Sequence, residues 1–321
     1  MLYVSTRNVT DTYTAYHALH EERAPDGGHY VPFHIPVFSD DELSEMKTQS
    51  AGDVIARLLN LLFGLHLSGW DVEYAIGRQP FRLETTSQRF AVAELWRNPQ
   101  GTYQYLTRNL YSLMTGGNSR VPSGWAEIAI KIAVLFCVYA AMDTVPEQGF
   151  DVAVTTGDFS DIVAIEYAAA MGLPVNMTLC ACNENSAVWD FINRGEFNTN
   201  ATIVKTDLPQ LDISQPVYLE CFILKRLGAD EVQRYLDACR RKATYYIDET
   251  QLEMLNKGLF AAVVSSNRVE TIASSMYRMN QYIIDPYTAV AYGGLQDYRA
   301  RTGVSNMTLI PAKQKPNRVK E

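Results

Sequence analysis

A chain of 321 residues, 47% hydrophobic and 20% charged, has the composition of one large or two ordinary folded domains, which excludes a disordered segment. Its formal net charge of −8, with no basic run before the tail Lys313–Lys320, argues against nucleic acid or an anionic membrane as a partner. Five scattered cysteines, Cys137, Cys180, Cys182, Cys221 and Cys239, fit a reducing cytoplasm better than a disulfide scaffold, and Met1–Arg7 lacks the charged start and apolar core of a secretory signal.

Up to about Phe90 the pattern mixes short helices with loops. Asp26-Gly27-Gly28 is a turn that enters the extended piece His29–Pro32. Ser39 with Glu42 three positions on predicts a capped helix start, and Asp53–Leu67 has apolar residues at helical spacing. Phe90–Trp96 predicts a strand, Arg97–Gly101 a loop and Tyr103–Met114 a helix, which Gly116–Ser119 breaks. Ile128–Met142 is apolar enough for a buried helix, but it contains Lys131 and is short for a bilayer span. Asp151–Thr155 predicts a strand, Ile162–Met171 a helix, Val175–Cys182 a strand and Asn183–Arg194 a helix. That alternation predicts an α/β core on a parallel sheet. From Leu219 helices dominate, notably Ala229–Lys242 and Glu249–Lys257, the latter capped by Asp248. A short extended piece, Asn306–Ile310, precedes a frayed basic end.

Several candidate chemistries carry little signal. Cys180 and Cys182 share a strand face, but no Cys or His partners lie nearby, so small core side chains are the simpler reading. His17 and His20 sit one turn apart on a helix without acidic or Cys partners, as surface histidines do. His29 and His34 flank the Gly-Gly turn and are candidates to line a cleft. Lys131, inside an apolar helix, reads as a core-edge lysine whose amine reaches water. No nucleophile elbow, Walker loop or His-Glu-x-x-His motif occurs.

An ordered series of motifs resembles the threonine synthases, enzymes that use pyridoxal 5′-phosphate (PLP). Ser5-Thr6-Arg7 followed by Asp26–Pro32 resembles that family's opening. Glu94, Leu95, Trp96 and Pro99 stand in register with its cofactor-lysine segment. Gly157–Asp161 is similar to its phosphate loop, Met171–Val175 to its Met-Gly-Leu-Pro-Val and Asn183–Asn185 to its Asn-x-Asn. Asp212–Pro216, Ile284–Ala291 and Thr308–Lys313 continue the likeness. The resemblance implies fold type II: a parallel-sheet core like the large domain of those enzymes, behind an N-terminal, mostly helical domain. The boundaries it implies are 1–89 and 90–321.

The departures bear on chemistry. Gln104 falls where the resemblance puts the Schiff-base lysine, with Tyr103 in place of a Phe, and a carboxamide forms no imine with an aldehyde. The Ser-Gly-Asp-Thr-Gly cofactor loop is missing after the lysine helix, so most of the small subdomain is read as deleted. In the phosphate-loop stretch Gly157, Asp158, Phe159, Ser160 and Asp161, a serine replaces a glycine and Asp158 adds a carboxylate, which is either a helix cap or a repulsive neighbour for phosphate. Tyr287 and Ile310 replace two family histidines. Thr308 keeps the position that would meet the pyridine nitrogen, and beside Ile310 it reads as a plain strand residue. No cofactor is therefore expected. The expectation is a threonine synthase-like pseudoenzyme that binds a protein partner, a second copy or a small ligand, with Gln104, Tyr103, Asp158, Phe159 and Asn183 lining an open groove. The alternatives are a cofactor-free enzyme and, with an unconventional lysine, a PLP-dependent lyase acting on O-phosphohomoserine.

Overall fold

The computed structural model describes residues 1–86, 89–98 and 102–317. Pro99 and Gly101 of the lysine-like segment, and Lys320 of the basic tail, lie outside the described residues. The chain gathers into two compact units. One comprises 1–83, 93–145 and 163–174; the other comprises 84–92, 146–162 and the chain from 175 onward.

The first unit opens with β1 (Leu2–Ser5), β2 (Thr12–Thr14), α1 (Ala15–His20) and β3 (Tyr30–Pro32). β1 lies between β2 and β3, antiparallel to both. This small sheet is a correction to the expected mixture of loops and short helices, because strands of three or four residues carry too little alternation to read. Next come α2 (Asp40–Met46), α3 (Ala51–Phe63) and α4 (Gly69–Ile76). Ser39, Ser50 and Ser68 cap them by accepting from the backbone N–H of Glu42, Asp53 and Asp71. Ser39 and Glu42 complete the expected capping box. α3 stops at Phe63, short of the sequence pattern, because Gly64 turns left-handed with φ +68°.

α5 (Tyr103–Met114) has the bounds its periodicity predicts, and α6 (Gly124–Ala140) starts four residues before the apolar run. α6 is buried on nearly every side. Lys131 is only 8% exposed and pairs with Glu127 one turn back at 2.8 Å, so its amine is neutralised inside the helix packing and does not reach out to water. At the start of α6 the Trp125 ring packs 6.0 Å from Tyr3 and 5.0 Å from Tyr167. The Tyr3 hydroxyl donates to the Leu62 carbonyl at 2.5 Å and accepts from Trp125 Nε1 at 3.2 Å.

The second unit is built on a sheet. The remaining strands are β4 (Arg82–Thr85), β5 (Phe90–Glu94), β6 (Phe150–Thr155), β7 (Val175–Cys182), β8 (Glu196–Asn198), β9 (Thr244–Tyr246), β10 (Leu259–Val263) and β11 (Thr308–Ala312). Six of them form one sheet in the order β10-β7-β6-β11-β5-β4, while β8 and β9 pair separately. The β10–β7, β7–β6 and β6–β11 pairs are parallel. β5 and β6 are buried along almost their whole length, as strands covered on both faces must be. Helices dominate after Leu219 as expected, β10 is an added strand that the sequence reading did not place, and the extended piece near Asn306 proves to be an inner strand.

α7 (Ser160–Ala170) has only its first three residues in this unit. The other helices here are α8 (Ala187–Arg194), α9 (Leu219–Leu227), α10 (Ala229–Arg241), α11 (Glu249–Asn256), α12 (Ser266–Asn280) and α13 (Pro286–Thr302). α13 lies against β6, β7, β10 and β11. Gly294 lets it approach: a Cβ there would stand 2.9 Å from that of Ala181. Asp285 caps α13 by accepting from the N–H of Tyr287 and Thr288, with Pro286 at the first turn.

Burial pushes the Tyr3 phenol far above its ordinary range, against a smaller opposing effect of the Trp125 hydrogen bond. The raised value means that Tyr3 supports folding fully below about pH 10 and loses that contribution as pH rises further. Tyr3→Phe leaves the Leu62 carbonyl and the Trp125 N–H without a partner. It should cost about 1–3 kcal/mol in urea denaturation at neutral pH.

Candidate functional site

The turn from β6 into α7 is the centre of the candidate site. Phe159 N–H donates to the Thr156 carbonyl at 2.8 Å, and Thr156 N–H to the Ala181 carbonyl at 2.9 Å. Asp158 Oδ1 accepts from the Ser160 backbone N–H at 3.0 Å and also from the Ser160 hydroxyl. The carboxylate thereby satisfies, from within the chain, a backbone donor at the start of α7. Phe159 takes a left-handed φ of +74° and is fully buried, its ring 5.2 Å from that of Phe222. The Asp158 carbonyl accepts from Tyr218 N–H at 3.0 Å. Asp161 is ion-paired with Lys313. Phe159 is therefore core and lines no groove, a correction to the sequence reading.

Asn183, at the end of β7, is buried as well. Its amide donates to Asp212 Oδ1 at 2.8 Å and Thr206 Oγ1 at 3.0 Å, and its Oδ1 accepts from Asn185 N–H at 3.0 Å. Asp212 further accepts from Thr206 N–H and Oγ1, each at 2.7 Å, and from Asn185 Nδ2 at 3.1 Å. Burial raises the Asp212 carboxyl, but this ring of donors outweighs it and holds the group below the usual carboxylate range. Asn183 ties loops together in place of lining a cleft, and α8 begins only at Ala187 because residues 183–185 belong to this network. Sequence reasoning did not single out Asp212 as its hub. The available signal was an Asn-x-Asn at a strand end with an Asp 27 residues beyond Asn185.

On β11, Thr308 is fully buried; its hydroxyl donates to the Asn306 carbonyl at 3.3 Å and its N–H to the Arg89 carbonyl at 3.1 Å. It behaves as a strand residue, and Ile310 beside it is buried. In the first unit, Thr102 caps α5 by accepting from Tyr105 N–H at 3.2 Å. Gln104 follows on the first turn with its side chain exposed, and Tyr103 is half-buried. Before the helix, the buried carboxylate of Glu94 pairs with Arg97 at 2.6 Å. Only nine residues, 115 to 123, separate the ends of α5 and α6.

The other candidates are accounted for locally. His17 Nδ1 meets Thr14 Oγ1 at 2.9 Å, the His20 ring lies 4.3 Å from Tyr16, and His34 is exposed beside Phe33. His29 is buried, its N–H donating to Thr6 Oγ1 at 2.9 Å. Cys182 offers its thiol to the Ala262 carbonyl, and burial pushes that thiol up to about 12. Among the described residues no cluster of His, Cys, Asp or Glu suits a metal, and no helix is long and apolar enough to cross a membrane.

Residues 2–78 match the family described as threonine synthase N terminus. Human threonine synthase-like 1 is 27% identical over 197 residues, covering 58% of this chain and 26% of that protein. Threonine synthase from Corynebacterium glutamicum is 30% identical over 173 residues, covering 51% of this chain and 36% of the relative. The chain thus spans about a quarter to a third of the curated relatives it matches. The PLP-bound threonine synthase from Brucella melitensis superposes with a TM-score of 0.86 at 18% identity, over 98% of this chain and 89% of that one. The yeast enzyme gives 0.83 at 16%, over 98% and 87%.

Residues 2–78 therefore carry the pattern of the threonine synthase N terminus, and the sheet and helices of the chain match the fold of the threonine synthases.

The residues at the positions that the resemblance gives to the cofactor fit PLP poorly: Gln104 is an exposed carboxamide, and the amide and hydroxyl of Ser160 already bond Asp158. A phosphate bonded to the Ser160 donors would face the Asp158 carboxylate. Two like charges about 4 Å apart repel by about 1 kcal/mol in water and several times that where water is partly excluded.

If Asp158 serves as the cap of α7, Asp158→Ala should lower stability by about 1 kcal/mol in chemical denaturation. Asp158→Asn, which keeps an acceptor oxygen, should cost under about 0.5 kcal/mol.

Proposed function

We propose that this threonine synthase relative has given up PLP chemistry and works by binding. The observation that carries the reading is the pairing of two changes. An amide with no basic lone pair stands at the Schiff-base position, and a carboxylate occupies the donors that a phosphate would need. Either change alone is compatible with a repurposed enzyme. Together they remove both the covalent and the ionic anchor of the cofactor. The short connection between α5 and α6 supports the same reading, since the resemblance puts the cofactor-covering subdomain there.

The test uses the purified full chain with added PLP. No aldimine absorbance band should form, and borohydride treatment should leave every lysine unmodified by mass spectrometry. A borohydride-stable adduct on any lysine, or phosphate release from O-phosphohomoserine, overturns the proposal. Gln104→Lys should change the unfolding free energy by less than about 0.5 kcal/mol, because the site is exposed, and should restore no phosphate release while Asp158 remains.

A further inference from the structure

The amino ends of β7, β6 and β11 are joined inside the second unit by a clasp of polar side chains with Asp151 at its centre. Asp151 is fully buried near the start of β6. Asn176 of β7 donates to its Oδ1 at 2.8 Å, and Asn306, just before β11, donates to the same oxygen at 3.2 Å. The Asn306 amide also donates to the Gly149 carbonyl at 3.1 Å, while Asn306 Oδ1 accepts from Met307 N–H at 2.9 Å and from Gln148 Nε2 at 3.2 Å. Asp151 N–H donates to the Met307 carbonyl at 2.8 Å. From α13, the Arg299 guanidinium donates to the Asn306 carbonyl at 3.1 Å and to the Arg89 carbonyl at 2.9 Å, which ties the start of β5 to the same cluster.

The clasp serves one carboxyl oxygen and neglects the other. Asp151 Oδ2 is buried and receives no hydrogen bond from the protein. An ionised carboxyl spreads its charge over both oxygens, and each needs donors where water is excluded. Burial accordingly pushes the Asp151 carboxyl above its ordinary range, and Asn176, Asn306 and the Arg299 charge oppose this without cancelling it. The charged or titratable groups that act on Asp151 or on Arg299 are Tyr298, Tyr292 and Arg89. Both tyrosines are themselves raised by burial, and arginine keeps its charge. All five histidines lie at or before His66, in the first unit. Asp151 is therefore the group in this cluster whose charge changes around neutrality.

We propose that Asp151 is a proton switch built into this clasp. With its proton in place, the amino ends of β7, β6 and β11 stay closed against water. When the proton leaves, an arrangement that admits water to the carboxylate gains population and the clasp loosens. The folded state holds the proton more tightly than the unfolded chain does. The closed sheet is therefore favoured most below the ordinary aspartate value of about 3.9, and it loses that support as pH rises through the folded midpoint. The inference does not depend on whether PLP chemistry is lost.

The experiment compares the full chain with Asp151→Asn, which keeps the size of the side chain and cannot ionise, in urea denaturation from about pH 4 to about pH 8. The unfolding constant of the unchanged protein should rise relative to that of the variant by about fivefold or more, a midpoint raised by one unit being worth about tenfold. In the unchanged protein, carbon-13 NMR of the Asp151 carboxyl should give a midpoint above about 3.9, and the amides of Asp151 and Thr308 should lose exchange protection through that same midpoint. A ratio of unfolding constants that stays level with pH, a carboxyl midpoint at or below the ordinary value, or amide protection indifferent to that midpoint overturns the proposal. The two NMR readings need no variant, so they decide the matter even if Asp151→Asn does not fold.

Discussion

The second unit turns on how the chain leaves its central strand. β6 is flanked by β7 and β11, and the turn after it must start a helix without stranding that helix's first amides. Asp158 solves this from within by holding both the amide and the hydroxyl of Ser160. The solution has consequences nearby. Phe159 is driven into a left-handed conformation and into the core against Phe222, and the Asp158 carbonyl receives the Tyr218 amide.

At carboxylates elsewhere, burial and hydrogen-bond donors act in opposite directions. Asp151, fully buried at the start of β6, is pushed above its ordinary range by burial, with Asn176, Asn306 and the Arg299 charge opposing. Burial wins there, and Oδ2 has no partner. Asp212 is also raised by burial, but two hydroxyl or backbone contacts from Thr206 and the amides of Asn183 and Asn185 reverse the balance. Glu231 behaves likewise: burial raises it, and donors from Tyr245, Arg234 and Gln251 bring it below the usual range. At the positions the resemblance marks, polar groups are paired with one another: Asn183 with Asp212, Asp161 with Lys313, Thr308 with Asn306.

Local chemistry made several elements legible in the sequence. The run Tyr103–Met114, the strand Val175–Cys182 and the caps at Ser39 and Asp248 depend on side chains within one turn of each other, so their patterns survive folding. That Gln104 can form no imine was likewise legible, because residue type alone decides it. Tertiary structure alone decided that Phe159 and Asn183 are interior and that Asp212 organises a loop network. Each of those facts depends on residues tens of positions apart meeting in space, and burial and pairing arise only from such meetings.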